Sequence, residues 1–444
     1  MSTEPSEEQY NIGYSWYVVV VLTSVYMLSF VDRTILGMLV GPIQADLGIT
    51  DTQFGVLSGF MFTLFYVLMG IPLGRVADTS NRRNLVVVGI IAWSFFTSLS
   101  SMARSYLTLS ATRIGVGVGE ASLSPSAYSI ITDSFPNRKL GVAMSIYNMG
   151  IFLGISAALL LGGTVVDLVS RTGEIAVPLL GSMPPWRITF LLVGLPGLLF
   201  ALLMLTVREP TRRNIRQTSD GASAKMSVGQ VFAEAGHRWQ SFLGISIGMI
   251  FQSSQVYAMV TWVNATFERV HEWTPGQTGR PLALILLTFG CGGMYIGGVL
   301  SDRWLKRGIP EAPLKIGAIA GIGTLIFFTP ALLMPTPTLA LVLLAPGFFF
   351  TALPMGITIA ALQRIFPNQA RAQVSALFLF FLNLGGYPLG AILPGYLNDT
   401  FYSDPASIGV TVSITIGIAA VLMIIAFSLT ARPYRKHYEM MQLD

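Results

Sequence analysis

Long apolar runs, broken by short polar segments, occupy most of the chain. A membrane-spanning helix needs about 20 apolar residues. On that pattern spans are predicted near 16–42, 52–74, 84–103, 106–133, 138–167 and 186–207, and again near 241–267, 281–300, 314–334, 337–364, 370–397 and 407–430. The longest polar stretch, "REPTRRNIRQTSDGASAKMSVGQVFAEAGHRWQ", covers 208–240 and parts these twelve spans into two sets of six. The pattern predicts an all-α polytopic membrane protein. It has an N-terminal six-helix bundle (1–207), a cytoplasmic linker (208–240) and a C-terminal six-helix bundle with a short tail (241–444).

Composition agrees. The chain is 52% hydrophobic and 11% charged, against about 25% charged in soluble domains. The 45 Gly and 24 Pro suit packed membrane helices. An outer-membrane barrel needs alternating strands of about ten residues, not uninterrupted apolar runs.

The placement of the basic residues carries more information than their number. With the N-terminus in the cytoplasm, twenty of the 27 Lys and Arg fall in cytoplasmic segments and five in outer ones. The remaining two, Arg33 and Arg113, lie inside spans. By the positive-inside rule both termini face the cytoplasm. The net charge of +5 is then a topology signal, not a nucleic-acid patch, and the basic linker lies where it meets anionic lipid. The start, "MSTEPSEEQY", lacks a basic n-region, so the first span is expected to be retained. Cys291 is the single cysteine, which excludes an internal disulfide. His237, His271 and His437 are far apart, and no metal site is expected.

The halves repeat. "GRVADTSNRR" after span 2 holds Gly74, Asp78, Arg82 and Arg83, and "GVLSDRWLKR" after span 8 holds Gly298, Asp302, Lys306 and Arg307 at the same spacing. "FPNRK" precedes span 5 and "FPNQA" precedes span 11. Repeated six-helix halves describe a transporter with its site near the bilayer midplane. Twelve spans with a Gly-x3-Asp loop in each half resemble the major facilitator superfamily. "VDRTILG" in span 1, "TRIGVGVGEASLSPSAYSII" in span 4 and "FPNR" before span 5 resemble its spinster family of lysolipid and sphingolipid-phosphate transporters, in a bacterial version.

That resemblance implies a bacterial inner-membrane transporter working by alternating access, with a lipid-like substrate. It also implies a cytoplasmic gate at Gly74, Asp78, Arg82 and Arg83, with Asp302, Lys306 and Arg307 in the second copy. The first copy departs from the superfamily pattern at Thr79 and Asn81. Gly141-x8-Gly150-x3-Gly154 in span 5 resembles the antiporter motif, with Ile155 where Pro and Ala158 where Gly are expected.

Four charges lie inside the N-terminal half: Asp32, Arg33, Arg113 and Glu120. Each costs about 2.5–3.5 kcal/mol at a helix centre, so they must face a cavity or one another. Asp32 and Arg33 are neighbours and point about 100° apart, so each needs its own partner. Arg113 and Glu120, two turns apart, share one face of span 4, with Gly117 between them. By rise along the helices, Asp32 and Arg33 lie nearer Arg113 in depth than Glu120, although a long Arg bridges a turn. Burial and a neighbouring guanidinium act oppositely on a carboxyl group. A partner that moves therefore changes the hold on a proton. Asp32 and Glu120 are the expected proton-coupling residues, with Arg33 and Arg113 as charge partners and anion attractors. The competing reading is a buried ion-pair cluster that only locks span 1 to span 4.

In span 7, Ser254, Tyr257, Thr261 and Asn264 are spaced 3, 4 and 3, one polar face. With Gln252 and Gln255, and with Tyr147, Asn148 and Asn383 from spans 5 and 11, they are expected to line a substrate cavity. The phenylalanines of "PGFFF" and "LFLFFLNLGGYPLG" offer an acyl chain an apolar wall, or else simply face lipid.

"GVGVGE" lies inside an apolar helix and is no phosphate loop, and no P-loop occurs, so no nucleotide is expected. The energy source is expected to be a proton gradient, with no cofactor. The cargo is an amphipathic anionic lipid or, with the same fold, a small organic acid or drug. The rival of another class is a transport-inactive receptor. No nucleophile, metal set or acid–base pair near the membrane surface suggests an enzyme. Nothing in the chain calls for an obligate oligomer, so a monomer among membrane lipids is expected.

Overall fold

The computed structural model describes residues 11–171, 175–177, 181–212, 236–367, 370–402 and 404–443. Most of the predicted linker, 213–235, and Asn368 of the second "FPN" motif lie outside the described residues. Among the described residues eleven helices are long and apolar enough to cross a membrane. They are Ile12–Gly37 (span 1), Asp51–Thr79 (span 2), Arg82–Met102 (span 3), Lys139–Ser170 (span 5) and Pro185–Leu205 (span 6), followed by Trp239–His271 (span 7), Pro275–Lys306 (span 8), Ala312–Ala331 (span 9), Pro337–Arg364 (span 10), Gln373–Tyr402 (span 11) and Pro405–Gln442 (span 12).

Span 4 has a different character. It is two shorter helices, Tyr106–Glu120 and Leu123–Ser134, joined at Ala121–Ser122. Pro125 follows the join, cannot donate to the carbonyl four residues back and crowds it, which breaks the ladder at Ala121. The Ser122 hydroxyl donates instead to Gly119 O at 2.9 Å. Glu120 is therefore the last residue of a half-helix. A short hairpin pairs Ile175–Val177 with Gly181–Met183 before span 6.

The chain divides into two compact units, residues 1–49 with 61–217, and residues 50–60 with 218–444. In the first, span 5 lies close against span 1. A Cβ on Gly154 would sit 2.5 Å from Met27 O, and one on Gly150 would sit 3.1 Å from Thr23 O. Small residues one turn apart let two membrane helices approach at backbone distance. Those two glycines of the antiporter-like pattern are thus packing positions, whereas Gly141 faces open space.

The second unit builds its core around Phe427, Ile245, Met249 and Phe378. It also takes in the first turns of span 2, which end in a π-helical segment, Val56–Met61.

Candidate functional site

Span 1 delivers Arg33 to Glu120. Arg33 Nε donates to Glu120 Oε2 at 2.8 Å, and its Nη2 lies 2.6 Å from the same oxygen. Asp32, Arg113 and Glu120 are all at most 1% exposed. The pairing follows from helix geometry. Asp32 points away from Arg33, and the Arg33 side chain spans the depth that separates it from Glu120.

Three aromatic rings enclose the Arg33 guanidinium, with centroids at 4.8 Å (Phe30), 4.5 Å (Phe62) and 4.8 Å (Tyr66). The Arg113 guanidinium also lies over Phe62, 5.6 Å from its ring centroid. A guanidinium on ring faces keeps its charge stabilised without water. Span 2 can carry Phe62 this close because Gly117 has no side chain: a Cβ there would lie 2.6 Å from Phe62 O. Asp32 lies within electrostatic reach of Glu120, Arg113 and Arg33. Asp32 Oδ1 and Glu120 Oε1 have no hydrogen-bond partner. Two acids and two bases balance in charge, yet each acid keeps one oxygen uncommitted.

Tyr147 and Asn148 lie in the same unit. Tyr147 is fully buried and stacked on Tyr26, centroids 4.6 Å apart and planes 8° apart. Tyr128 Oη donates to Asn148 Oδ1 at 2.9 Å. Tyr66 Oη is 3.4 Å from Ser124 Oγ.

The polar residues of span 7 belong to the second unit. Gln252 Nε2 donates to Thr351 O of span 10 at 2.8 Å, and Gln255 Nε2 contacts Met423 Sδ of span 12 at 3.5 Å. Ser254 is fully buried and donates back to Phe251 O at 2.8 Å. Tyr257 stacks on Tyr387 of span 11 at 3.9 Å. Thr261 and Asn264 are buried, and neither amide atom of Asn264 has a hydrogen-bond partner. Asn383 donates to Leu379 O at 2.8 Å, within its own helix.

The two loop motifs differ. Arg82 is fully buried and holds Asp133, which it pairs closely, with Glu209 Oε1 at 2.6 Å, Ser129 Oγ at 2.8 Å and Pro210 O at 2.9 Å. Arg83 N donates to Glu209 Oε2 at 2.9 Å. Arg212 caps the end of span 2 through Ala77 O (2.8 Å), Ser80 O (2.6 Å) and Asp78 O. The Asp78 side chain is exposed, as are Asp302, Lys306 and Arg307, and Gly298 faces open space.

Several participants carry no motif of their own: the ring cage, Asp133, and the "REPTR" segment that closes on the loop. Another set lies in the second unit. Arg269 grips Asp51 with two bonds (Nη1 to Oδ2 2.9 Å, Nη2 to Oδ1 2.8 Å), Asn398 adds a third at 2.9 Å, and Asp399 accepts from Thr52 N at 2.7 Å. Among the described residues no group of three or more His, Cys, Asp or Glu is placed to hold a metal ion.

Comparison with known proteins agrees with this architecture. The model of the Major Facilitator Superfamily matches residues 22–387. An "MFS-type efflux pump" of Mycolicibacterium smegmatis is 29% identical over 429 residues, 95% of this chain and 94% of that protein. "Protein spinster homolog 3" of Danio rerio is 25% identical over 406 residues, covering 87% of this chain and 77% of its own length. A crystal structure of a bacterial homologue of the human lysosomal transporter Spinster, inward-facing and unoccupied, superposes with a TM-score of 0.76 at 26% identity, covering 97% of this chain and 98% of its own. The chain belongs to the major facilitator superfamily and is a spinster-like membrane transporter, not an enzyme.

Proposed function

We propose that this transporter is driven by protons and moves an amphipathic anion, a lysophospholipid or sphingoid phosphate, by alternating access. One observation carries the reading: the caged Arg33 is held by a buried carboxylate, Glu120, through a single oxygen. When Glu120 takes a proton it stops neutralising Arg33, and the freed guanidinium attracts the anionic headgroup. When the headgroup leaves, Arg33 returns to Glu120 and expels the proton. Asp32 and Arg113 set the charge around this exchange. Protonation and anion binding are thus linked through one arginine, and the proton gradient is the energy source, with no cofactor. The lipid cargo rests on the motifs of spans 1 and 4, which resemble the spinster family of lysolipid and sphingolipid-phosphate transporters, and the likeness to a bacterial Spinster homologue supports that family resemblance.

Twenty of 27 basic residues in the predicted cytoplasmic segments support cytoplasmic termini in a bacterial inner membrane. The protein acts as a monomer.

The similarity to the mycobacterial efflux pump favours a second reading, export of a small organic acid or drug by the same cycle. Counterflow of labelled lysolipid or organic acid into proteoliposomes, with and without a pH gradient, tests both. Accumulation of either anion driven by the gradient supports the cycle. No movement of any candidate under any gradient favours a transport-inactive receptor.

A further inference from the structure

Beside the Arg33 cage stands a cluster of side-chain hydroxyls that the charge exchange does not use. Tyr26, Tyr66, Tyr128 and Tyr147 come from spans 1, 2, 4 and 5. The phenol of Tyr147 lies within electrostatic reach of the other three and beside Ser124, but makes no hydrogen bond of good geometry. Packing accounts for the rings. Tyr26 stacks on Tyr147, Tyr128 meets it edge-on at 5.3 Å, and Phe30 meets Tyr26 at 5.2 Å. Packing does not account for the Tyr147 hydroxyl. Phenylalanine would stack as well, and a buried hydroxyl without a partner is costly.

The cluster is joined to the cage. Tyr66 presents its ring to Arg33 at 4.8 Å and its hydroxyl to Ser124 at 3.4 Å. Tyr66, Ser124, Tyr128 and Asn148 are partly exposed, whereas Tyr147 is fully buried. Phenols, a serine and a carboxamide both donate and accept. An alcohol does the same. A bare acyl chain has nothing to offer them.

We infer that Tyr26, Tyr66, Tyr128, Tyr147, Ser124 and Asn148 form a subsite for hydroxyl groups, and that the substrate is an anion with two or more hydroxyls close to its charge. The inference rests on the reading of Arg33 as the anion anchor and adds what lies next to the anion. The same chemistry is found in the glycerol headgroup of a lysolipid and in a small polyhydroxy acid.

Two matched pairs of probes separate these sources, each titrated against the purified full-length protein in nanodiscs. The pairs are lysophosphatidylglycerol against lysophosphatidylethanol, and D-gluconate against hexanoate. In at least one pair the hydroxylated member binds about fivefold or more tighter, as one or two added hydrogen bonds require, and that pair identifies the source. Tyr147→Phe and Tyr128→Phe each reduce this preference by about fivefold.

Absence of a preference in both pairs overturns the inference. So does an undiminished preference in both folded variants. If Tyr147→Phe does not fold, the parent protein and the half-buried Tyr128→Phe decide. Arg33→Gln separates the two readings: it weakens both members of the bound pair if Arg33 is the anchor. Four unchanged affinities overturn the anion reading itself, as does a parent that binds none of the probes.

Discussion

Arg33 meets Glu120 through one carboxylate oxygen, with both its Nε and its Nη2 directed at Oε2, while Oε1 has no hydrogen-bond partner. A side-on, two-oxygen pair would commit the whole carboxylate. This arrangement leaves one oxygen available to a proton while the other holds the arginine. Glu120→Gln removes the charge change and keeps the shape. It is expected to reduce transport driven by a pH gradient by about tenfold or more while substrate counterflow persists, as for a step needing about 1.4 kcal/mol or more of proton linkage. Parallel measurements on Asp32→Asn show which acid is the main coupling site. Full gradient dependence in both variants would remove both from the mechanism.

Arg82 is the anchor of the first loop motif. Arg82→Ala leaves Asp133, Glu209 and Pro210 O without their shared donor. Losing one partner of a buried pair costs about 3–5 kcal/mol. A large fall in thermal midpoint is expected in detergent. Glu209→Ala is expected to cost about 1 kcal/mol, because the Glu209 side chain is 23% exposed. Equal losses in the two variants would contradict this ranking.

The second copy is not embedded in the same way. Asp302, Lys306 and Arg307 are exposed, so Asp302→Ala and Lys306→Ala should each change stability by no more than about 0.5 kcal/mol. A loss comparable to that of Arg82→Ala would show that the two motifs are energetically equivalent.

Two glycines of one sequence pattern should behave oppositely. Gly154→Ala places a Cβ 2.5 Å from Met27 O and 2.7 Å from Phe30 Cβ, so spans 1 and 5 must separate, at about 1–3 kcal/mol for overpacking. Gly141→Ala meets nothing within 4 Å and gains about 0.5–1 kcal/mol of helix propensity. Thermal unfolding of the two variants side by side checks the difference in sign.

Arg269 joins span 7 to Asp51 with two bonds. Arg269→Ala removes both of these bonds from a carboxylate that is 6% exposed. A loss of about 2 kcal/mol is expected. Because Asp51 and Pro405, which accept from Arg269, lie in residues 50–60 and 218–444, the loss should appear as faster hydrogen exchange in spans 7 and 11. Exchange confined to span 5 would contradict it.

The amino-acid sequence is enough to specify the class of fold. Runs of about twenty apolar residues leave the backbone no alternative to helices in lipid, and the repeated Gly-x3-Asp loops mark the two halves. It also marked Asp32, Arg33, Arg113 and Glu120, because charges inside such runs are costly and therefore visible.

Which residues pair is set by how the helices pack. Depth along the helices puts Arg33 nearer Arg113, but the reach of its side chain and the ring cage from Phe30, Phe62 and Tyr66 bring it to Glu120. The rings are ordinary members of apolar runs, and no periodicity separates a cage from a core. The loop motifs read as twins, yet only the first has Asp133 and Glu209 folded against it. In span 7, Gln252 and Gln255 reach a backbone carbonyl and a thioether of neighbouring helices, partners that no spacing along the chain identifies. Helix periodicity fixes the side a residue takes on its own helix. Which neighbour meets that side depends on how the helices pack, and that is set by contacts between residues far apart in the chain.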